Sequence, residues 1–230
     1  MEREPALVAI GDIHGCAQTL SALLTQLSNQ CAAGTRYVFL GDYVDRGPDS
    51  KSVIDLLLEF SESYSCTFLE GNHEWMMTRA LKEGNWDRWL TYGGKQTLES
   101  YGAHPQNAIA RIPDTHMEFL MSLERVSATP DFVFVHGGLN PSLSIEENLG
   151  SETELNRALW QREHIEADVS HWERAVVFGH TPVIDPILEP NKIGIDTGCV
   201  YPERGMGTLT AIVLPDNQII QQEQIENVTV

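Results

Sequence analysis

The sequence LVAIGDIHG at residues 7–15 decides the fold, because it joins a short apolar run to a glycine, an aspartate and a histidine. A run of three to five apolar residues that stops near a glycine is typical of a buried β-strand ending in a tight turn. Four further stretches share this pattern: YVFLGD (37–42), TFLEGN (67–72), FVFVHGG (132–138) and VVFGH (176–180). We therefore predict five buried strands, each followed by a turn that carries a polar side chain.

Amphipathic segments separate the first three strands. Leucines recur at helical spacing over residues 20–27, and apolar residues do so again over residues 53–58. The order is thus β-α-β-α-β. Right-handed crossovers would place the carboxyl ends of such parallel strands on one edge of the sheet.

The second half of the chain has a different character. Residues 208–214 and 218–221 flank a Pro-Asp-Asn turn, which predicts a β-hairpin. Residues 74–125 are expected to be mostly helical and residues 140–154 to form a loop with a solvated acidic run. The fold class we expect is α/β, with two packed β-sheets flanked by helices in one domain over residues 1–230.

Composition limits the location and the partners. Among 230 residues, 33 acidic and 15 basic side chains give a net charge of −18 at pH 7, which disfavours nucleic acid and membrane surfaces as partners. No apolar run approaches the roughly 20 residues of a membrane span, and residues 1–5 do not resemble the start of a secretory signal. The four cysteines are widely spaced. We expect reduced thiols and a cytoplasmic location, and the oligomeric state stays open.

Polar residues follow the predicted strands at the edge where open α/β sheets bind ligands. They are Asp12, His14, Asp42, Asn72, His136 and His180. Carboxylate, amide and imidazole donors without a thiolate favour a catalytic metal centre over a structural zinc site. Six donors are too many for one ion with an open position, whereas two ions that share a carboxylate would use them well. The sequence therefore predicts a dimetal centre.

Five blocks in this order resemble a known signature. GDIHG (11–15), GDYVDRG (41–47), GNHE (71–74), HGG (136–138) and GHT (179–181) are similar to the motifs of PPP-type metallophosphoesterases, the superfamily of serine/threonine protein phosphatases. Within that family, the chain most resembles small bacterial and phage-lambda-like members. The intervening blocks that carry this closer resemblance are YGGKQTLESYG (92–102), LWQRE (159–163) and IDTGC (195–199).

The resemblance implies the calcineurin-like metallophosphoesterase fold and a ligand set for each of two divalent ions. One ion would be held by Asp12, His14 and Asp42. The other ion would be held by Asp42, Asn72, His136 and His180. Manganese is the metal that the resemblance implies, while iron and zinc stay open because these ligand types also accept them.

The resemblance also assigns residues to phosphate-ester hydrolysis. A hydroxide bound between the metals would attack phosphorus, and His73 would protonate the departing oxygen. Asp45 would hold His73 through a hydrogen bond and favour its charged form. Arg46 and Arg162, with Asn72, would bind the phosphoryl group. This cationic pocket would outweigh the distant acidic surface, which salt screens over about 8–10 Å.

Three functions are compatible with these residues. The expected one is a phosphatase that acts on phosphorylated proteins or peptides at serine or threonine, with tyrosine left open. The alternative is a symmetrical dinucleoside polyphosphate hydrolase, that is, a diadenosine tetraphosphatase. The resembling tetraphosphatases typically lack an aspartate at the position of Asp45 and read GNHD where this chain has Glu74, so these two residues favour the phosphatase. A scaffold without catalysis is disfavoured because the ligands and the acid are all present.

Overall fold

The computed structural model describes residues 6–226 and residue 228, so residues 1–5 lie outside the described part. Ten β-strands occur in the described range. They are β1 (Leu7–Ile10), β2 (Arg36–Phe39), β3 (Ser65–Phe68), β4 (Val126–Ala128), β5 (Phe132–Val135), β6 (Ala175–Phe178), β7 (Ile187–Glu189), β8 (Lys192–Gly194), β9 (Thr208–Leu214) and β10 (Gln218–Glu223).

Helices occupy the four longest connections between these strands. The α-helical segments are α1 (Ala17–Gln30), α2 (Ser50–Ser63), α3 (Asn72–Glu83), α4 (Asp87–Trp89), α5 (Lys95–Ser100), α6 (Ala108–Arg111), α7 (Asp114–Met121), α8 (Ile145–Leu149) and α9 (Glu152–Arg157). A π-helical turn at Leu90–Gly94 joins α4 to α5. Residues 74–125 are therefore mostly helical, as predicted.

The first sheet has the strand order β10-β9-β1-β2-β3. Strands β1, β2 and β3 are parallel, with Ile10 paired to Phe39 and Phe39 to Phe68. Strand β9 runs antiparallel to β1 and forms a hairpin with β10. Three predicted strands and the predicted hairpin are thus confirmed, with ends that differ by at most two residues.

The second sheet has the order β4-β5-β6-β8-β7. Its central strands are parallel, with Phe134 paired to Val177 and Val177 to Ile193. Strands β4 and β7 form antiparallel edges. The remaining two predicted strands, β5 and β6, are confirmed, whereas the short strands β4, β7 and β8 were not predicted.

The two sheets pack against each other through alternate residues of their strands. Ala9 and Val38 of the first sheet belong to one buried cluster with Phe134 and Val177 of the second. Val8 has the opposite orientation and belongs to the cluster that includes α1 and α2. This is the alternation that a strand imposes. The predicted α/β class, with two packed sheets flanked by helices, is confirmed.

The prediction of a loop over residues 140–154 is wrong in part, because this range contains α8 and the start of α9. Ser144 and Ser151 cap these helices, since their hydroxyls accept the backbone N–H groups of Glu147 and Glu154. The acidic residues lie in the first helical turns, where the helix dipole favours them. The Ser-x-x-Glu spacing was the available signal.

The structure bears on the expectations about membrane spans and cysteines. Among the described helices, none combines the length and the apolar character needed to cross a membrane. All four cysteines are free thiols, as predicted, and two of them, Cys16 and Cys199, are buried.

Candidate metal centre

The ends of strands from both sheets are tied together at one place. The backbone N–H of His180, after β6, donates to both carboxylate oxygens of Asp12, after β1, at 3.1 and 3.0 Å. The Nδ1 atom of His136, after β5, lies 2.9 Å from the carbonyl oxygen of Leu40, after β2. Its Nε2 atom lies 2.9 Å from Oδ1 of Asn72, the first residue of α3. Residues that are far apart in the chain therefore face one another.

Asp42 lies at the centre of this group. Its Oδ2 atom is 3.4 Å from Nε2 of His14, and its Oδ1 atom is 3.3 Å from Nε2 of His136. Two buried triads share Asp42, and the ligand atoms of each triad lie within 4.8 Å of one another. The triads are His14, Asp42 and His73, and Asp42, His136 and His180. The first contains His73 where the resemblance assigned Asp12.

The buried imidazoles favour the neutral form, which is the form that binds metal ions. Burial lowers the pKa of His136. Burial, followed by the charge of Arg46, also lowers the pKa of His14. The Nδ1 atom of His14 lies 2.9 Å from the carbonyl oxygen of Val44. Backbone carbonyls thus orient His14 and His136 so that their Nε2 atoms face Asp42.

The buried carboxylates repel one another. Burial, and then the charges of Asp196 and Asp42, raise the pKa of Asp12 well above its usual range. Divalent cations would offset the crowded negative charge. Neutral imidazoles beside closely spaced carboxylates therefore fit a centre of two such ions.

His73 lies beside the triads with one ring nitrogen fixed. Its Nδ1 atom is 2.6 Å from Oδ2 of Asp45. The oxygens of Asp45 also accept the indole N–H of Trp89, at 2.9 and 2.8 Å, and the hydroxyl of Thr97, at 2.7 Å. The Nε2 atom of His73 is buried and 3.9 Å from Oδ2 of Asp42, and no residue in the described part of the chain makes a hydrogen bond to it. An oriented imidazole of this kind is suited to exchange a proton with a bound group.

The two arginines that were predicted to bind phosphate differ in position. Arg46 is half-buried, contacts Nε2 of His14 and lies over the ring of Tyr201, 5.5 Å from its centroid. Arg162 is exposed at the rim. Burial lowers the pKa of His180 to about 2, and the charge of Arg162 contributes to this shift. One guanidinium is therefore inside the group and the other is at its edge.

The turns that carry these side chains have an unusual backbone. Five of the six non-glycine residues with positive φ in the described range belong here: His14, Asp42, Asp45, Arg46 and His180. Such strain persists only where the surrounding structure enforces it, and it is concentrated at functional sites. The packing is tight as well, since a Cβ atom on Gly71 would lie 2.2 Å from Oδ1 of Asp42.

Other residues support this group although they were not among the predicted site residues. Glu74 accepts the backbone N–H groups of Asp42 and of the next two residues. Trp89 and Thr97 donate hydrogen bonds to the carboxylate of Asp45, which orients the imidazole of His73. Burial, and then the charge of Asp42, raise the pKa of Asp196 to about 7. Because Asp196 follows β8 as the other groups follow their strands, the same pattern could have located it.

A comparison with protein families decides the class of this protein. The profile described as Calcineurin-like phosphoesterase matches residues 6–204, which include all six predicted metal ligands and His73. The chain belongs to the calcineurin-like phosphoesterase family. It is thus a metallophosphoesterase, with the fold expected from the resemblance. Members of this family use a dimetal centre, and the cluster of histidines around Asp42 fits one.

Individual proteins resemble this calcineurin-like phosphoesterase over most of its length. Asymmetrical bis(5′-nucleosyl)-tetraphosphatase PrpE of Oceanobacillus iheyensis is 26% identical over 244 residues, covering 92% of this chain and 89% of the relative. The structure of a candidate diadenosine tetraphosphatase has a TM-score of 0.71 at 23% identity, covering 98% of this chain and 96% of the other. A protein serine/threonine phosphatase from Saccharomyces cerevisiae has a TM-score of 0.64 at 17% identity, covering 100% and 83%. The two structural likenesses show the fold alone.

The predicted protein serine/threonine phosphatase, with a phosphorylated protein as partner, is wrong. Relatives that match 92% of this chain are named asymmetrical bis(5′-nucleosyl)-tetraphosphatases. The two residues that favoured a phosphoprotein are buried and point into the protein. Asp45 binds His73, and Glu74 binds the backbone at Asp42. Neither side chain is placed to distinguish one phosphorylated substrate from another.

Proposed function

We propose that this chain hydrolyses bis(5′-nucleosyl) tetraphosphates, such as diadenosine tetraphosphate, into a nucleoside triphosphate and a nucleoside monophosphate. The observation that carries the proposal is the match over 92% of the chain to an asymmetrical bis(5′-nucleosyl)-tetraphosphatase. The substrate class is the one that the sequence analysis kept as its alternative. The cleaved bond differs, because that alternative was a symmetrical hydrolase.

The proposed metal ligands are those that the family resemblance assigned. Asp12, His14 and Asp42 would hold one ion. Asp42, Asn72, His136 and His180 would hold the other. When bound, the two ions supply an activated water and offset the charge that develops on the reacting phosphate. We propose manganese, because carboxylate and imidazole donors suit it.

The side chains around the ions bind the polyphosphate and handle the proton. Arg46 and Arg162 offer paired N–H donors to the phosphate oxygens, and the amide of Asn72 adds a neutral donor. The Nε2 atom of His73, which makes no hydrogen bond among the described residues, donates the proton that the departing phosphate oxygen accepts. Asp45 fixes the orientation of the ring through Nδ1.

We also propose that residues 1–230 form one domain and that the protein works in the cytoplasm. The four free thiols support a reducing compartment, because disulfides are rare there. The acidic net charge supports the absence of nucleic-acid and membrane partners.

Product analysis tests the proposed reaction. Purified protein with Mn²⁺ is incubated with diadenosine tetraphosphate, and the nucleotides are separated by anion-exchange chromatography. We expect ATP and AMP in equal amounts, with no turnover in the Asp42→Asn variant or in the presence of a chelator. ADP as the sole product would establish symmetrical cleavage instead. Intact dinucleotide, in a preparation that hydrolyses an aryl phosphate, would overturn the proposed substrate.

A further inference from the structure

A cavity of about 700 Å³ lies beside the candidate metal centre, and none of the proposed roles uses it. This volume is usual for a ligand site. Trp160 lines the cavity and also contacts the metal centre. Its indole packs edge-on against the ring of His180, with centroids 6.3 Å apart and an interplanar angle of 86°. The cavity and the centre therefore share one aromatic wall.

The position of Trp160 is fixed by the loop that carries His136. The N–H groups of Gly137 and Gly138 donate to the carbonyl oxygen of Ala158 at 2.8 and 3.1 Å. A Cβ atom on Gly137 would lie 2.6 Å from that oxygen and 3.1 Å from the backbone nitrogen of Trp160. Glycine is thus required for this close approach, which holds the indole against the centre.

Part of the indole is covered and another part borders the cavity. Arg88 lies over the ring of Trp160, 4.7 Å from its centroid, and Trp75 packs edge-on with centroids 6.1 Å apart. Arg88 and Trp75 both line a separate cavity of about 300 Å³, which Trp160 does not line. Neither Arg88 nor Trp75 lines the larger cavity, whereas Trp160 does. A half-buried indole held by such neighbours is suited to stack on a flat ring.

The charge of the larger cavity disfavours phosphate. Glu154 and Glu163 both line it, and its one guanidinium, that of Arg157, is already paired with Glu154 at 2.9 Å. An anionic group would therefore be repelled from this wall and attracted to Arg46 and Arg162. The part of a ligand that enters the cavity should be neutral.

Neutral amides complete the wall of the cavity. Asn156 and Gln161 line it, and across residues 6–226 their side chains make no hydrogen bond. A carboxamide offers a donor and an acceptor side by side, which is the arrangement that pairs with the edge of a nucleobase. The cavity thus combines a stacking surface with groups that recognise a base edge.

We propose that this cavity is a nucleoside subsite, in which one base of the dinucleotide stacks on Trp160 while its phosphate chain enters the metal centre. This inference rests on the proposed function, since a dinucleoside polyphosphate joins a neutral flat base to an anionic chain. Trp160 is then a specificity-determining residue that distinguishes a nucleotide from a simple phosphate ester.

Substitutions of Trp160 test the subsite through steady-state kinetics. Trp160→Leu is expected to raise KM for diadenosine tetraphosphate about tenfold, which corresponds to about 1.4 kcal/mol, with a smaller effect on kcat. Trp160→Phe retains a stacking ring and should recover most of the affinity. Tyr64→Leu removes an aromatic ring next to α2, outside the cavity, and is the matched control. A decrease in kcat without a rise in KM, or a rise in KM that Trp160→Phe does not reverse, would overturn the subsite.

Inhibition measurements separate the subsite from the proposed function. AMP and orthophosphate are compared as inhibitors of p-nitrophenyl phosphate hydrolysis. We expect AMP to inhibit about tenfold more tightly in the native protein, and Trp160→Leu to remove this advantage. If the advantage is present but diadenosine tetraphosphate stays intact, the proposed function fails and the subsite stands. If AMP has no advantage, the subsite is overturned even when the dinucleotide is cleaved.

Discussion

His73 and Asp45 form a buried pair that depends on donors from a later part of the chain. The indole N–H of Trp89 and the hydroxyl of Thr97 both donate to the carboxylate that holds the imidazole. A carboxylate with three hydrogen-bonding partners is held in one orientation, and it fixes the ring in turn. The proton transfer proposed for Nε2 of His73 requires this fixed orientation.

Trp89→Phe removes the N–H donor and keeps an aromatic ring in the core. We expect kcat for diadenosine tetraphosphate to fall about tenfold, because outer hydrogen-bond partners of an active site typically contribute 10–100-fold. Metal content, measured by elemental analysis, should not change. Trp86→Phe is the matched control, since Trp86 packs on Trp89 with ring centroids 5.9 Å apart. If kcat is the same in both variants, the support of Asp45 by Trp89 has no catalytic role.

At the scale of residues, the sequence predicts the groups that directly follow strands. Asp12, Asp42 and His180 each stand next to an apolar run and a glycine, so the local pattern locates them. Trp89 and Thr97 are 44 and 52 positions away from the residue that they hold, and no local pattern joins them to it. Their role depends on tertiary packing.

At the scale of elements, the first turn of α3 organises the loop after β2. The carboxylate of Glu74 accepts four buried backbone N–H groups at 2.8 to 3.1 Å: those of Gly71, Asp42, Tyr43 and Val44. Each of these donors would otherwise be buried without a partner, which is costly. One side chain thus determines the shape of the loop that carries Asp42.

Glu74→Gln replaces one acceptor oxygen by a donor that faces backbone N–H groups. We expect the free energy of unfolding to fall by about 3 kcal/mol, because buried backbone N–H groups lose an acceptor oxygen. Denaturant titration of the metal-free protein measures this change. Glu83→Gln, at the exposed end of the same helix, removes a surface ion pair with Arg79 and should cost less than about 1 kcal/mol. Equal effects of the two substitutions would contradict the organising role of Glu74.

The sequence predicts the elements that contain enough residues to show a pattern. Strands β1 and β5 have four apolar residues each, and α1 has a full apolar face. Strands β4 and β7 have three residues each, which is too short for an alternation to be recognised. Their positions at sheet edges follow from the neighbouring strands and not from local sequence.

At the scale of the whole molecule, stability should depend on the protonation of a buried histidine. His164 packs against Trp172 and Phe178, and neither of its ring nitrogens has a hydrogen-bond partner among the described residues. Burial lowers the pKa of His164 to about 4. The unfolded chain therefore binds this proton at a higher pH than the folded protein does. The resulting stability is present above about pH 6.5 and is lost as the pH falls towards 4.

The size of this effect can be measured by denaturant titration at pH 7 and pH 5 in the presence of a chelator. Between these values the native protein should lose about 2 kcal/mol more stability than the His164→Leu variant, at about 1.4 kcal/mol per unit of pH below 6.5. The comparison cancels the contributions of the other histidines. Parallel losses in the two proteins would contradict the assignment of this pH dependence to His164.

The fold brings the candidate metal ligands together, but it does not determine the substrate. A yeast protein serine/threonine phosphatase and a candidate diadenosine tetraphosphatase both share the two-sheet arrangement, with TM-scores of 0.64 and 0.71. The sequence blocks that predict the ligands lie at strand ends, which belong to the common fold. Substrate choice depends on surfaces such as the cavity at Trp160, which those blocks do not describe. The sequence therefore predicts the enzyme class and misses the substrate.

Strand ends from two sheets meet at the site proposed for a pair of cations. Equilibrium dialysis against Mn²⁺, followed by elemental analysis, counts the ions directly. We predict two manganese ions per native chain at saturation, and hydrolysis of diadenosine tetraphosphate that reaches its full rate only with the second ion. A folded chain that binds one ion or none at saturation, and still hydrolyses the dinucleotide at full rate, would contradict the account.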